Sequence, residues 1–335
     1  MVWPAIDIEQ QERFSPLGDR PFELLDLSLP TSAERASMLS ATSAVVMGYD
    51  MAGSCPTHNP GDFDILLTVR IGAEAPWVAV PSCQMEERCA AIAAIVRHAP
   101  LASASLRSVL RVGERLDVES ALDVESFAYS MLLGGSEFTR WRGATGDVPA
   151  IFPPPRHVDV SREDDIVTVT LANPGQRNTI DAPMRDALFE ALAAVVEDPT
   201  LPELSLRAEG RCFSTGGDLA EFGTAKDLAF AHQIRRVRSC AGLLLRLQDR
   251  ATVHLHGACV GSGIEIPAAA GRRIARANTF FQLPELKMGL IPGAGGTVTI
   301  SRLIGRHRTA YMAFSGRRIT VREALSWGLV TAMEE

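Results

Sequence analysis

Two glycine-rich turns, each directly after a strand-like segment, hold the residues of this sequence best placed to do chemistry. The first reads Arg211-Cys-Phe-Ser-Thr-Gly-Gly-Asp-Leu219 and the second Gly257-Ala-Cys-Val-Gly-Ser-Gly-Ile-Glu265. Glycine permits sharp turns and close ligand approach, and the first N–H groups of a following helix have no internal partner. Two such ends aimed at one point would hold an anion or a developing oxyanion. Neither turn fits the nucleotide fingerprints GxGxxG or GxxxxGK(S/T). Taken alone, each reads equally well as an ordinary tight turn, because glycine punctuates loops everywhere.

A third segment changes that balance. Phe280-Phe-Gln-Leu-Pro-Glu-Leu-Lys-Met-Gly-Leu-Ile-Pro-Gly-Ala-Gly-Gly-Thr297 closes a set that resembles the enoyl-CoA hydratase/isomerase (crotonase) superfamily. The set comprises NPGQRNTID (173–181), FSTGGDLAEF (213–222), GACVGSGIE (257–265) and PELKMGLIPGAGGT (284–297), in the family's order, and continues through FSGRRITVREALSWGLV (314–330). It covers about residues 160–335, and PELKMGLIPGAGGT is its most specific motif.

The resemblance implies an α/β fold with a crotonase-like ββα spiral core and an acyl-CoA thioester as partner; hydration of a 2-enoyl-CoA is the expected reaction, with isomerisation, thioester hydrolysis, a ring-processing or oxygenating step, or CoA-ester binding with weak catalysis as the alternatives. No metal or redox cofactor is required beyond the coenzyme A of the substrate itself. Two backbone N–H groups that polarise the thioester carbonyl match Gly217, just before Asp218, and Ser262, between Gly261 and Gly263. The family usually has glycine where Ser262 stands, so its side chain is a departure that narrows or rehydrates the pocket. The paired glutamates of the family's hydratases match Glu265 and Glu285, 20 residues apart as in those enzymes. Arg177 and Asn178 fall in the segment that lines the acyl-CoA site, with Arg177 a candidate for phosphate contact, and Asp218, Gly261 and Gly263 are expected to contact the CoA or acyl group as well. The family also implies a homo-oligomer, trimer or hexamer.

That chemistry accounts for the residue types. Water addition across a double bond conjugated to a thioester builds negative charge on the carbonyl oxygen, and each preorganised N–H there lowers the barrier by on the order of 3 kcal/mol. One carboxylate must take a proton from the water while a carboxylic acid supplies one to C2. Two glutamates in one dry pocket titrate as a pair, so one stays protonated near neutral pH. Each residue also has a plainer reading. Glu265 at a helix start compensates a dipole, Glu285 after Pro284 caps a turn, and Arg177 is an exposed loop arginine. His254 and His256 share one face of a strand but lack an evident third metal ligand. Nothing nearby marks Cys212 or Cys259 as an activated nucleophile.

The elements that position these residues follow an alternating strand and helix pattern. Ile166–Leu171 alternates with β-branched residues and reads as a strand. Asp181 caps the next helix, with Pro183 in the first turn, and Met184, Leu188, Ala191, Leu192 and Val195 mark its buried face. A strand over 204–210, one long helix near 228–247 and a strand over 252–255 follow.

The front of the chain is different. FDILLTV (63–69) and WVAV (77–80) look like short strands, but residues 1–76 otherwise give no assignment. Helices are expected over 85–97 and 118–133, the second with Ala121, Val124, Ala128 and Met131 on one stripe. The family normally continues past the GLV motif with helices that cover the acyl pocket, whereas here only five residues follow Val330. Residues 77–110 and 121–138 resemble those missing helices, which suggests a circular permutation or a fused duplication that lost complementary parts. The chain thus divides into an unassigned region (1–76), a helical lid or oligomerisation segment (77–142), a Pro/Gly linker (143–157) and the acyl-CoA core (158–335).

Composition sets outer bounds. Of 335 residues, 46% are hydrophobic and 22% charged, an ordinary globular balance. The net charge of −7 provides no global field for nucleic acid or anionic lipid. No apolar run approaches the roughly 20 residues that span a bilayer, and Asp7, Glu9 and Glu12 sit where a signal peptide would be basic or apolar. Lysine occurs only at 226 and 287, so a side chain that holds phosphate is expected to be arginine. Six scattered cysteines without a CxxC pair suit free thiols in a reducing cytoplasm.

Overall fold

A computed structural model describes residues 8–146 and 157–334. After α1 (Ile8–Arg13) come β1 (Phe22–Asp26), α2 (Ser32–Ser40), β2 (Val45–Asp50), β3 (Ile65–Thr68) and β4 (Val78–Ala79). These strands form a parallel sheet in the order β1-β2-β3-β4. Both faces are covered, so the strands lack polar alternation. Val45, Met47, Ile65 and Leu67 join the main core, while Val46 and Leu66 point the other way onto Ala36 and Leu39 of α2. The region left unassigned in the sequence is therefore a small α/β layer.

Four helices follow: α3 (Met85–His98), α4 (Pro100–Gly113), α5 (Val118–Leu133) and α6 (Ser136–Thr145). Asp117 caps α5 by accepting from the Ser120 amide at 3.0 Å. The Glu137 carboxylate accepts from the Leu101 and Ala102 amides of α4 at 2.8 and 2.9 Å, satisfying donors that a helix start leaves open. Of the stripe predicted on α5, Ala121 is buried and Val124 and Ala128 pack half-buried on the core, but Met131 is exposed, and the buried face also carries Leu122, Glu125, Ser126 and Ser130. Polar residues occupy that face because it fronts a cleft rather than an oily core. Residues 143–145 of the expected linker belong to α6, and 147–156 lie outside the described residues.

The rest is β5 (Val158–Glu163), β6 (Ile166–Leu171), α7 (Ala182–Glu197), β7 (Glu203–Ala208), α8 (Leu228–Val237), α9 (Cys240–Leu247), β8 (Ala251–Leu255), β9 (Ala258–Val260) and α10 (Ser262–Glu265). Then come β10 (Arg272–Arg276), β11 (Phe280–Gln282), α11 (Gly296–Ile304), α12 (Arg306–Ser315), β12 (Ile319–Thr320), α13 (Val321–Trp327) and β13 (Ala332–Glu334). One sheet runs β13-β10-β8-β7-β6-β5, parallel except for β5, and a second runs β12-β11-β9. The units β8-β9-α10 and β10-β11-α11 each place one strand in each sheet before a helix, a ββα repeat that turns both helix starts toward one cleft. Asp181 caps α7 by accepting from Met184 N at 2.8 Å, as its sequence predicts. The single helix expected over 228–247 is two, because Ser239 accepts from Gly242 N at 3.1 Å and starts α9 afresh. Among the described residues, no single helix is long and apolar enough to cross a membrane.

The front layer docks on the core through three consecutive buried residues at the start of α12. Arg306 donates to the carbonyls of Phe63 and Pro60 at 2.7 and 2.9 Å, His307 Nε2 lies 2.9 Å from Pro60 O, and Arg308 donates to the Trp77 and Ala73 carbonyls at 3.2 and 2.9 Å. At the centre is Asp64, 3.2 Å from Arg107, 2.6 Å from Arg111 and 3.9 Å from Arg306. Burial pushes the Asp64 carboxyl up, but Arg107 and Arg111 outweigh it and hold the group below its ordinary range. Removing one member of a buried ion cluster strands the others, at a cost of about 3–5 kcal/mol. Asp64→Asn is therefore expected to lower unfolding stability in urea by that amount; a loss below about 1 kcal/mol would show the cluster to be incidental.

Candidate active site

A cleft of about 960 Å³ opens where the two glycine turns meet α5, α8 and the start of α11. The turns are joined by backbone hydrogen bonds from Ser214 N to Ala258 O (3.2 Å) and from Val260 N to Ser214 O (3.1 Å). Gly216 and Gly217 line the cleft from the first turn, and Gly261 and Ser262 from the second. Among the described residues the Gly217 and Ser262 amides donate to no protein acceptor. They are therefore available to a carbonyl oxygen in the cleft. The Ser262 hydroxyl, the departure from glycine, is buried and also lacks a partner.

Gly261 shows why this turn tolerates no side chain. Its φ is +51°, and a Cβ there would sit 2.8 Å from Glu285 Oε1 and 3.8 Å from Glu265 Oε1. That point lies between the two carboxylates, so both predicted glutamates face one small space. They are 2% and 7% exposed, low enough that solvent barely screens them. Glu265, at the end of α10, accepts from the Ala294 and Gly296 amides at 2.8 and 3.0 Å through Oε2. Glu285 Oε2 has no partner.

Burial pushes the Glu285 carboxyl up to about 8, with Glu125 adding repulsion. Burial, then Glu285 and Glu125, raise Glu265 well above the ordinary carboxylate range, against the two amides that lower it. The two amides favour the ionised form of Glu265, whereas Glu285 has one carboxyl oxygen, Oε2, without a donor.

The sequence reading missed Glu125. Its carboxylate, on α5, accepts from Gly295 N at 2.7 Å, Thr297 N at 2.8 Å and Thr297 Oγ1 at 2.6 Å. The four amides 294 to 297 thus alternate between Glu265 and Glu125 on opposite sides of one turn. Glu125 is a positioning residue: it braces the turn whose other amides hold Glu265. A signal was present, since Glu125 lies between Ala121 and Ala128 on the apolar side of a predicted helix, where a carboxylate needs a partner.

Other predicted residues fall in different places. Arg177 and Asp218 line the cleft. Asn178 does not: its Oδ1 accepts from Asn173 N at 3.0 Å and its Nδ2 donates to the Glu209 and Cys212 carbonyls at 2.8 and 3.1 Å. Its amide is spent on pinning the loop, which corrects its expected place in acyl-CoA contact. Gly263 likewise faces Ser214, whose carbonyl oxygen lies 2.5 Å from where a Cβ would be. His256 Nε2 lies 3.1 Å from Gly210 O and His254 Nδ1 lies 3.9 Å from Glu334, so neither is in the cleft. Burial pushes the Cys212 and Cys259 thiols up, opposite to activation.

The second half of the chain is similar to known proteins. Residues 161–334 match the family model described as enoyl-CoA hydratase/isomerase, with residues 8–146 outside the match. The probable mitochondrial enoyl-CoA hydratase 2 of Arabidopsis thaliana is 31% identical over 182 residues, 53% of this chain and 60% of that protein. The 2,3-dehydroadipyl-CoA hydratase of Escherichia coli K12 is 31% identical over 172 residues, 51% of this chain and 67% of that protein. An enoyl-CoA hydratase structure from Thermoplasma volcanium aligns with a TM-score of 0.49 and 28% identity, covering 53% of this chain and 71% of that one. The chain thus spans 60% of the first of these relatives and 67% of the second.

The brace makes a testable claim. Glu125→Gln replaces one acceptor oxygen by a donor that faces amides already donating. The variant is expected to melt at lower temperature and to move the Gly295 and Thr297 amide resonances to faster hydrogen exchange. Unchanged exchange at both amides would contradict the brace.

Proposed function

This chain belongs to the enoyl-CoA hydratase/isomerase family, and from that premise we propose that it adds water across the 2,3-double bond of a 2-enoyl-CoA thioester to give the 3-hydroxyacyl-CoA. The observation that carries this reading is the convergence of two buried glutamates of unlike environment on the space at Gly261, beside the unpartnered amides of Gly217 and Ser262. The thioester oxygen would sit on the two amides. Glu265, held as a carboxylate by Ala294 and Gly296, takes a proton from water as its oxygen attacks C3. The π electrons move onto the thioester oxygen, and the resulting enolate collapses by taking a proton at C2 from Glu285. Isomerisation shuttles one proton between two carbons and needs only one carboxylate, so the second buried glutamate favours hydration.

The helical segment 77–142 is proposed to do here what the family's carboxy-terminal helices do elsewhere, covering the acyl pocket. Support comes from α5, which places Glu125 and Tyr129 in the cleft wall.

The test is the loss of conjugated-thioester absorbance when crotonyl-CoA or a longer enoyl-CoA is mixed with the protein. Glu265→Gln and Glu285→Gln are each expected to lower kcat by about 10²–10⁴-fold. Because Glu285 must be protonated to donate and titrates at about 8, kcat/KM should fall as pH rises through that value. Absorbance that stays constant with every enoyl ester would refute hydration, and a profile flat to well above pH 8 would refute Glu285 as the acid.

A further inference from the structure

The cleft contains a cation that the proposed hydration does not use. Arg235, on α8, lines it, with Cζ 4.5 Å from the centroid of the Tyr129 ring. Its Nη1 donates to Ser126 Oγ at 2.9 Å and Ser130 Oγ at 3.0 Å, both on α5. Nη1 lies on the Cδ side of the guanidinium, so these bonds leave the opposite edge, Nε and Nη2, which grips a carboxylate through two parallel bonds. Among the described residues neither atom has a protein partner, and neither is sealed from the cleft. The neighbouring arginines differ. Arg236 pairs with Asp123 and, at 2.7 Å, with Glu119, and Arg238 pairs with Glu190 at 3.3 Å. Arg235 has no carboxylate at ion-pair distance among the described residues, and burial pulls its proton affinity down. Glu125 and Tyr129 offset its burial only from beyond ion-pair distance, so a half-buried cation with a free bidentate edge points to a partner that arrives with the ligand.

Its position identifies which part of the ligand that is. Tyr129 packs on Gly293, the residue before the Ala294 amide that holds Glu265, so Arg235 stands beyond the carboxylate pair. Arg177 stands on the other side, its carbonyl accepting from Thr215 N beside Gly216 and Gly217. On the hydratase reading, a thioester with its carbonyl on the Gly217 and Ser262 amides and C3 at the glutamates runs its acyl tail onward toward Arg235, which lines the same cleft as Leu122 and Ile234.

We propose that the acyl group ends in a carboxylate received by the Nε–Nη2 edge of Arg235, so that the substrate is the mono-CoA thioester of a 2-unsaturated dicarboxylic acid. The direction of the chain rests on the hydratase reading; the unpaired edge of Arg235 does not. The experiment uses a homologous series of 2-enoyl-CoA esters, each made with a terminal carboxylate and with a terminal methyl. The best carboxylated ester is expected to exceed its methyl counterpart in kcat/KM by at least about tenfold, as a charged hydrogen-bonded contact provides. That ratio should collapse toward one in Arg235→Gln and be restored only in part by Arg235→Lys, which keeps the charge but not the fork. Calorimetry with the saturated carboxylated and methyl esters reads the same preference without turnover. A binding preference for the carboxylated ester that Arg235→Gln abolishes, with no hydration, would sink the hydratase reading and leave the anion site standing. Preference for methyl esters throughout, or a ratio unchanged in Arg235→Gln, would overturn the proposal.

Discussion

Four consecutive amides, from Ala294 to Thr297, are the constraint on which the rest of the site depends. They alternate between two buried carboxylates, Glu265 on one side and Glu125 on the other. The turn can present its N–H groups this way because Gly295 takes a φ of +106°, closed to other residues. Glu265 is tied again through its own carbonyl, which accepts from Thr299 Oγ1 at 2.8 Å. The Glu265 side chain is thus fixed by backbone donors rather than by a flexible side-chain partner. Backbone donors also favour charge without introducing a cation that would compete for the substrate.

The same arrangement makes the front half of the chain part of the site. Glu125 comes from α5, far from Glu265 in sequence, so the brace exists only when the helices of residues 85–145 lie over the core. Those helices are held from below by the Asp64 cluster, in which Arg107 and Arg111 of α4 and Arg306 of α12 share one carboxylate. Burying Glu125, Glu265 and Glu285 together is unfavourable for folding, and burial raises all three. Such a concentration of like groups is the usual mark of a site that trades stability for reactivity.

Legibility in the sequence follows the range of the interactions. Local rules served well: Asp181 caps α7, α5 spans the expected Val118–Leu133, and β6 spans Ile166–Leu171. The motifs also located the cleft, since Gly217, Ser262, Glu265 and Glu285 do share it. What escaped depends on tertiary partners. The α5 stripe was misplaced by Met131 because its inner face meets a polar cleft, which hydrophobic period cannot register. Asn178 was assigned to ligand contact, although its side chain is consumed by Asn173, Glu209 and Cys212 in the fold. FDILLTV and WVAV do form β3 and β4 of the front sheet, whereas β1 and β2 escaped because they are short and set among long connections. The break before α9 was hidden by continuous apolar spacing, with Ser239 its one local sign.

The central claim is that the glutamate pair carries one proton near neutral pH and that Glu285 holds it. Infrared difference spectroscopy of the free protein, titrated from acid to alkaline pH, reads a protonated carboxyl directly. A buried carboxylic-acid band that disappears as pH rises through about 8, and that is missing from Glu285→Gln, is the predicted result. A band that survives in Glu285→Gln, or that titrates in the ordinary carboxylate range, would contradict the account.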